Sequence, residues 1–227
     1  MAQKNQTIKF VVEKPHIIVC EGIDDKNFLE AYLKYLSKSE KFAADLFNVI
    51  EMQGVDNITK LMKTYRNYDN YDEMKSFLFI RDADQDVQRA VESLRGNIRD
   101  VWQINLDKTG DFKQDSDGKY FGFYIFPRLN EDGEYQNGTL EDLCSEIFYS
   151  GDEKLSTLVE THLQAVEDTT KIKFKMRHKN KLHLLFGSTN EFVGYKIGEA
   201  ARDNAFDFAN DKLKNLKAKL FAMLNFE

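Results

Sequence analysis

The sequence predicts an α/β protein: a parallel sheet flanked by helices over residues 1–130, then a mainly helical extension over 131–227. Three observations carry this. Short apolar runs rich in β-branched or aromatic residues alternate three times with stretches whose apolar residues recur at helical spacing, the pattern of strands buried on both faces under crossover helices. After Pro127 the helical spacing dominates. No linker, repeat or low-complexity tract separates the halves, so the helical part is expected to pack on the sheet.

His16 to Cys20 (HIIVC) is the first strand. The helix after it presents Phe28, Leu29, Tyr32, Leu33 and Leu36 on one face, with Asp24 placed to cap its start. Phe47 to Met52 is the second strand, and Val55, Ile58, Leu61, Met62 and Tyr65 mark the next helix. Ser76 to Arg81 (SFLFIR) is the third strand. Val87, Ala90, Val91, Leu94 and Ile98 mark the helix that follows it. Leu106 to Gly118, with Asp107, Asp111, Asp115 and Asp117, reads as a hairpin or exposed loop. Tyr120 to Phe126 is the fourth strand, ended by Pro127, which has no N–H to donate to a ladder. Trp102 and the aromatics of 120–126 are expected in the core.

In the second half, Thr139 and Asp142 form a capping pair before Leu140, Leu143 and Ile147. Leu155, Leu158, Val159, His162 and Val166 mark a further helix. Ser188 and Glu191 repeat the capping pattern ahead of Phe192, Val193, Ile197, Ala200 and Ala201. Leu213, Leu216, Leu220 and Leu224 mark the last helix.

Composition excludes several classes. The 227 residues are 42% hydrophobic and 31% charged, with 18 Phe and 10 Tyr, which suits a globular chain and not a disordered one. The net charge of −6 argues against metal-free binding to a polyanion. Two cysteines, Cys20 and Cys144, cannot build a zinc site alone; Cys20 ends an apolar run and reads as a reduced, packed thiol. No apolar stretch reaches the ~20 residues that cross a bilayer, and the first residues carry no signal-peptide core. A cytoplasmic protein without a membrane partner is the expectation.

The informative feature is where the acids sit. Glu21 and Gly22 follow the first strand directly, and Asp82 and Asp84 follow the third. Parallel sheets bind ligands beyond the carboxyl ends of their strands. Were these two strands neighbours, three carboxylates would share one crevice, an arrangement that calls for a hard divalent cation such as Mg²⁺ or Mn²⁺. Taken singly, each acid also fits a helix cap or a solvated loop, and Asp86 reads as a further ligand or a cap.

His16 to Asp25 (HIIVCEGIDD) resembles the first motif of the Toprim domain, a hydrophobic strand ending in E-G-x-x-D. Phe77 to Asp84 (FLFIRDAD) resembles its second, a strand ending in D-x-D. The resemblance spans roughly residues 15 to 130, and implies a Rossmann-type α/β core and metal-dependent phosphoryl transfer. Pro127 to Leu143 and Lys179 to Phe208 resemble segments of an uncharacterised prokaryotic Toprim-related family. Carried over position by position, Glu21 matches the glutamate that acts as metal ligand or general acid/base, Asp82 and Asp84 the D-x-D ligands, and Asp25 the Asp of the first motif. Glu141 falls, loosely, where related nucleases add an acid from a helix. The implied activity is hydrolysis of a phosphodiester in DNA or RNA with Mg²⁺ or Mn²⁺, with Glu21 or Asp25 handling the proton. The alternative is a non-catalytic module that docks to a protein or nucleotide partner.

Other sites fail on their residues. Asp82 to Asp86 begins like an EF-hand loop but has Val87 and Ser93 where Gly and Glu are needed. A haloacid-dehalogenase-like D-x-D belongs on the opening strand, which here ends in Glu21. There is no P-loop and no nucleophile elbow. The chain leaves no room for topoisomerase gating domains, nor cysteines for a primase zinc module. One dense basic stretch remains. In an extended strand Lys171, Lys173, Lys175, Arg177, Lys179 and Lys181 would share one face, and in a helix they would spread around it. It reads as a nucleic-acid-binding face (Lys173, Lys175, Arg177, Lys179, Lys181), with Lys179 or Lys181 stabilising transition-state charge, or as an edge strand protected by lysines.

Overall fold

A computed structural model describes residues 14–52, 57–66, 70–148 and 153–226. Five strands, β1 (His16–Cys20), β2 (Phe47–Glu51), β3 (Ser76–Asp82), β4 (Lys113–Gln114) and β5 (Tyr120–Phe126), form one sheet in the order β2-β1-β3-β5-β4. All neighbours run parallel except β4, which pairs antiparallel with β5 and makes the polar 106–118 stretch a hairpin arm. Eight α-helices accompany the strands among the described residues: α1 (Ile23–Glu40), α2 (Ile58–Arg66), α3 (Val87–Trp102), α4 (Leu140–Glu146), α5 (Glu153–Thr170), α6 (Arg177–Gly187), α7 (Ile197–Arg202) and α8 (Lys214–Leu224). The chain is a mixed α/β fold with a mostly parallel sheet and a helical C-terminal part.

The sheet is apolar on both faces. Ile17, Ile18, Val19, Phe77, Leu78, Phe79 and Ile80 are fully buried. On one side α2 and α3 pack together. There Phe77 stacks on Phe121 at 5.1 Å, and Trp102 lies 4.5 Å from Phe121 while its Nε1 donates to the Tyr71 hydroxyl. On the other side Phe28 of α1 meets Phe126 and the C-terminal Phe206 and Phe208. α7 lies so close to α1 that a Cβ at Gly198 would sit 2.4 Å from Asn27 Cβ. α8 is tied to the hairpin by buried Lys219, whose Nζ donates to Gly110 O and Asp111 Oδ1.

The order of the strands creates a crevice. β1 connects to β2 on one side of it, whereas β3 connects to β5 on the other. Between the carboxyl ends of β1 and β3 the winding reverses, and α1 and α3 leave those two ends toward opposite faces.

Several local expectations are corrected. α1 begins at Ile23, and the side chain at its start is Asp25 rather than Asp24: Gly22 N donates to Asp25 Oδ2 at 2.8 Å. Val55 lies outside the described residues. The inward face of α5 carries Val159 and Leu163, while Leu158 is 66% exposed and His162 faces solvent. Ser188 starts no helix but is the C-cap of α6, its N–H and its hydroxyl both donating back to Leu184 O. The next helix instead begins at Ile197, where Glu199 accepts from Lys196 N.

The basic stretch is not a strand. Lys171 closes α5 in a left-handed conformation (φ 60°), the chain reverses, and α6 starts at Arg177. Residues 171–176 are irregular, and on α6 Arg177 and Lys181, four apart, share a face that Lys179 does not.

Candidate functional site

A cleft of about 1480 Å³ opens at the crevice, lined by Glu21, Arg81, Asp82, Asp84, Thr139, Glu141 and Lys179 among others. Glu21 follows β1 and Asp82 ends β3. Since Val19 pairs with Phe79, the two acids lie one step apart in register on adjacent strands. The cleft therefore unites Glu21, Asp82, Asp84, Asp86 and Glu141, five of the six acids singled out from the sequence. Asp25 stands behind this lining, 9% exposed, and its charge interacts with Glu21, Asp82 and Glu141.

Each acid is held differently. Asp82 Oδ1 accepts from Leu140 N at 2.9 Å, at the first turn of α4. That turn is set by the expected capping pair, with Asp142 Oδ2 accepting from Thr139 N and Oγ1. Asp84 adopts φ 53°, a left-handed conformation unusual for a residue with a side chain. Two backbone bonds keep it there: Asp84 N donates to Gly138 O, and Gly138 N to Asp84 O. Gly138 itself has φ 133°, and a Cβ on it would meet Asp142 Oδ2 at 2.9 Å and Pro127 at 3.1 Å. Asp86 is the N-cap of α3, accepting from Arg89 N, which settles its local role.

The electrostatics are those of crowded carboxylates. Burial, then the charges of Asp25 and Glu141, push the Asp82 carboxyl well above the usual range. Burial lifts Asp25 to about 7, against the lowering effect of the Gly22 N–H and with Glu21 and Glu141 adding to the rise. Burial also raises Glu21, partly offset by the Arg81 charge. Among the described residues Glu21 Oε2 is buried with no hydrogen-bond partner. An orphaned anionic oxygen amid hard oxygen donors fits a divalent cation such as Mg²⁺ or Mn²⁺. Among the described residues, no three of these side chains already converge as a cation cage.

The basic residues divide. Lys173 pairs with Glu167, Arg177 with Glu160 and Glu167, and Lys181 with Glu160, all acids of α5. Lys175, His178 and Lys179 line the cleft, and Lys179 Nζ lies 3.3 Å from Glu141 Oε1. Residues not anticipated are Arg81, Arg89, Asn97, Gln136, Asn137 and Thr139. Arg89 was readable in principle, because it lies three residues past the cap Asp86, on the helix that the D-x-D strand feeds. Asn137 was not, since its Oδ1 reaches Val87 N across 50 residues of sequence.

Cys20 and Cys144 are buried free thiols, raised by burial, and neither lines the cleft. Among the described residues no helix is long and apolar enough to cross a membrane.

No curated protein matches the chain. Among solved structures, the C-terminal region of the OLD protein of Xanthomonas campestris pv. campestris is similar at 14% identity and a TM-score of 0.46, covering 95% of this chain and 98% of that one. Residues 15–225 match a family model described as a protein of unknown function, DUF3226, and the chain therefore belongs to the DUF3226 family.

Proposed function

We propose that the chain is a Toprim-like, metal-dependent phosphodiesterase acting on DNA or RNA. One observation carries the reading: acids from the ends of two adjacent parallel strands, joined by one from α4, line a single cleft where the strand order reverses. Glu21, Asp82, Asp84 and Glu141 would hold Mg²⁺ or Mn²⁺, which supplies charge neutralisation and an acidified water. Asp25, whose carboxyl burial lifts to about 7, is suited to hold or release a proton close to this set, and Glu21 is the second candidate. Lys179 places a positive charge at the same acids. Arg177, Lys173 and Lys181 already answer carboxylates of α5, so the nucleic-acid contacts of the basic stretch fall mainly to Lys175 and Lys179.

The test is cleavage of labelled single-stranded and duplex DNA and RNA with Mg²⁺ or Mn²⁺, beside Glu21→Gln and Asp82→Asn. Wild type should cut at least one substrate and both variants should lose on the order of 10²-fold or more, the scale of a lost charge-stabilising group. Cleavage that survives both substitutions removes the site; no cleavage anywhere removes the activity. A second reading, a non-catalytic module docking a protein or nucleotide, is favoured by the lack of a preassembled three-acid group among the described residues. It predicts no cleavage together with wild-type stability changes on adding nucleotide.

A further inference from the structure

The cleft has two positively charged walls, and only the α6 wall has been given a task. The α3 wall carries Arg81 and Arg89, with Ser93 and Asn97 beside them. The arginines elsewhere include Arg95, Arg99, Arg128 and Arg177, each of which has a carboxylate partner within 4 Å. Among the described residues Arg81, Arg89 and the exposed Arg202 form no such pair, and of these three only Arg81 and Arg89 line the cleft. Arg81 is half-buried and oriented: its Nε donates to Asp82 O at 3.2 Å, and its Nη1 lies 3.5 Å from Ser93 Oγ. Arg89 is exposed, in the first turn of α3, with its backbone fixed by the Asp86 cap. Two guanidinium forks, one anchored and one exposed, line the cleft from β3 and α3, whereas Lys175 and Lys179 line it from α6 and the turn before it.

We propose that Arg81 and Arg89 form a phosphate subsite for the nucleotide next to the scissile one, so that the substrate strand crosses the acids from the α6 wall to the α3 wall. This rests on reading the cleft as a phosphodiester site. Guanidinium forks bind phosphate oxygens bidentately, whereas the lysines act as point charges.

The test is anisotropy binding, with Ca²⁺ present as a hard cation for the acids, of labelled DNA and RNA oligonucleotides of about 12 nucleotides, a length within usual single-strand site sizes. Affinity is measured against salt for wild type, Arg89→Ala, Arg89→Lys, Arg81→Ala and Arg202→Ala. Arg202 is an exposed arginine of α7 that does not line the cleft. Melting curves with and without Mn²⁺ accompany each variant. Arg89→Ala should bind roughly tenfold more weakly and lower the salt slope by about 1, as expected for one lost phosphate contact. Its melting shift with Mn²⁺ should match wild type, Arg89→Lys should recover part of the affinity, and Arg202→Ala should bind as wild type does. The arm bound more tightly identifies DNA or RNA. Wild-type affinity and slope in Arg89→Ala, or equal weakening in Arg202→Ala, overturns the subsite and leaves the phosphodiesterase reading standing. If the wild-type chain binds neither oligonucleotide, both fall.

Discussion

Asp25→Asn tests the electrostatics of the cleft without any knowledge of substrate. The Asp25 carboxyl is lifted from 3.8 to about 7. That is a rise of about 3 units, or roughly 4 kcal/mol of strain on the ionised form at 1.36 kcal/mol per unit. The folded chain binds more protons than the unfolded one between these two values, so stability falls as pH rises across that window and the strain is complete above about pH 7. Asparagine removes the charge but keeps an oxygen to accept from Gly22 N, a contact weakened by about 1 kcal/mol because the acceptor is neutral. A proton shared with Asp82 relieves part of the repulsion in wild type. The net gain should be about 1–3 kcal/mol at pH 8, or roughly 2–10 °C in Tm for a chain of this size. Melting in EDTA at pH 8 and at pH 4 reads it directly. The gain should vanish at pH 4, where the wild-type carboxyl is already protonated. A variant no more stable than wild type at pH 8, or equally stabilised at both pH values, refutes the crowded-carboxylate account.

Metal should stabilise the chain: wild type should melt higher with Mn²⁺, and the combined Asp82→Asn, Asp84→Asn variant should lose that shift, as titration by thermal melting would show. Gly138→Ala should be destabilised by about 1–3 kcal/mol, since its Cβ meets Pro127 and Asp142 at a backbone angle that favours glycine, and should also weaken the Mn²⁺ response by displacing Asp84; an intact response would detach Asp84 from the metal set. Gly198→Ala should cost a similar amount in chemical denaturation by forcing α7 off Asn27, and should leave the metal response unchanged. His16, buried against Ser76 Oγ, is held down to about 4 by burial and by Lys75. Its contribution is complete above about pH 6.5 and is lost as pH falls toward 4. The stability difference between wild type and His16→Asn should therefore shrink over that range, and a pH-independent difference would contradict a buried neutral imidazole.

Much of this fold was legible locally. The runs at 16–20, 76–81 and 120–126 are short, apolar and rich in β-branched or aromatic residues, which favours strands buried on both sides over helix. The Thr139 and Asp142 cap formed as the spacing implied because its bonds lie within one turn. Failures arose where two local solutions compete. Alternating lysines at 171–181 satisfy a strand pattern, but α5 offers Glu160 and Glu167 to a helix, and those ion pairs depend on a chain reversal that alternation does not encode. The Ser188 and Glu191 pattern lost to the same kind of competition, because the Ser188 hydroxyl was taken by Leu184 O one turn back.

The sequence by itself determined which residues become strands and that acids stand at the ends of two of them, since burial and periodicity act over a few residues. Only the tertiary structure decided that β1 and β3 are neighbours, with β2 beyond them, and that Leu140 N reaches Asp82 across 58 residues. Strand order and helix docking follow from which apolar faces fit together over the whole chain. Local hydrophobic patterns are the same for every order of the strands, so only the packed sheet could convert acids scattered through the chain into one cleft.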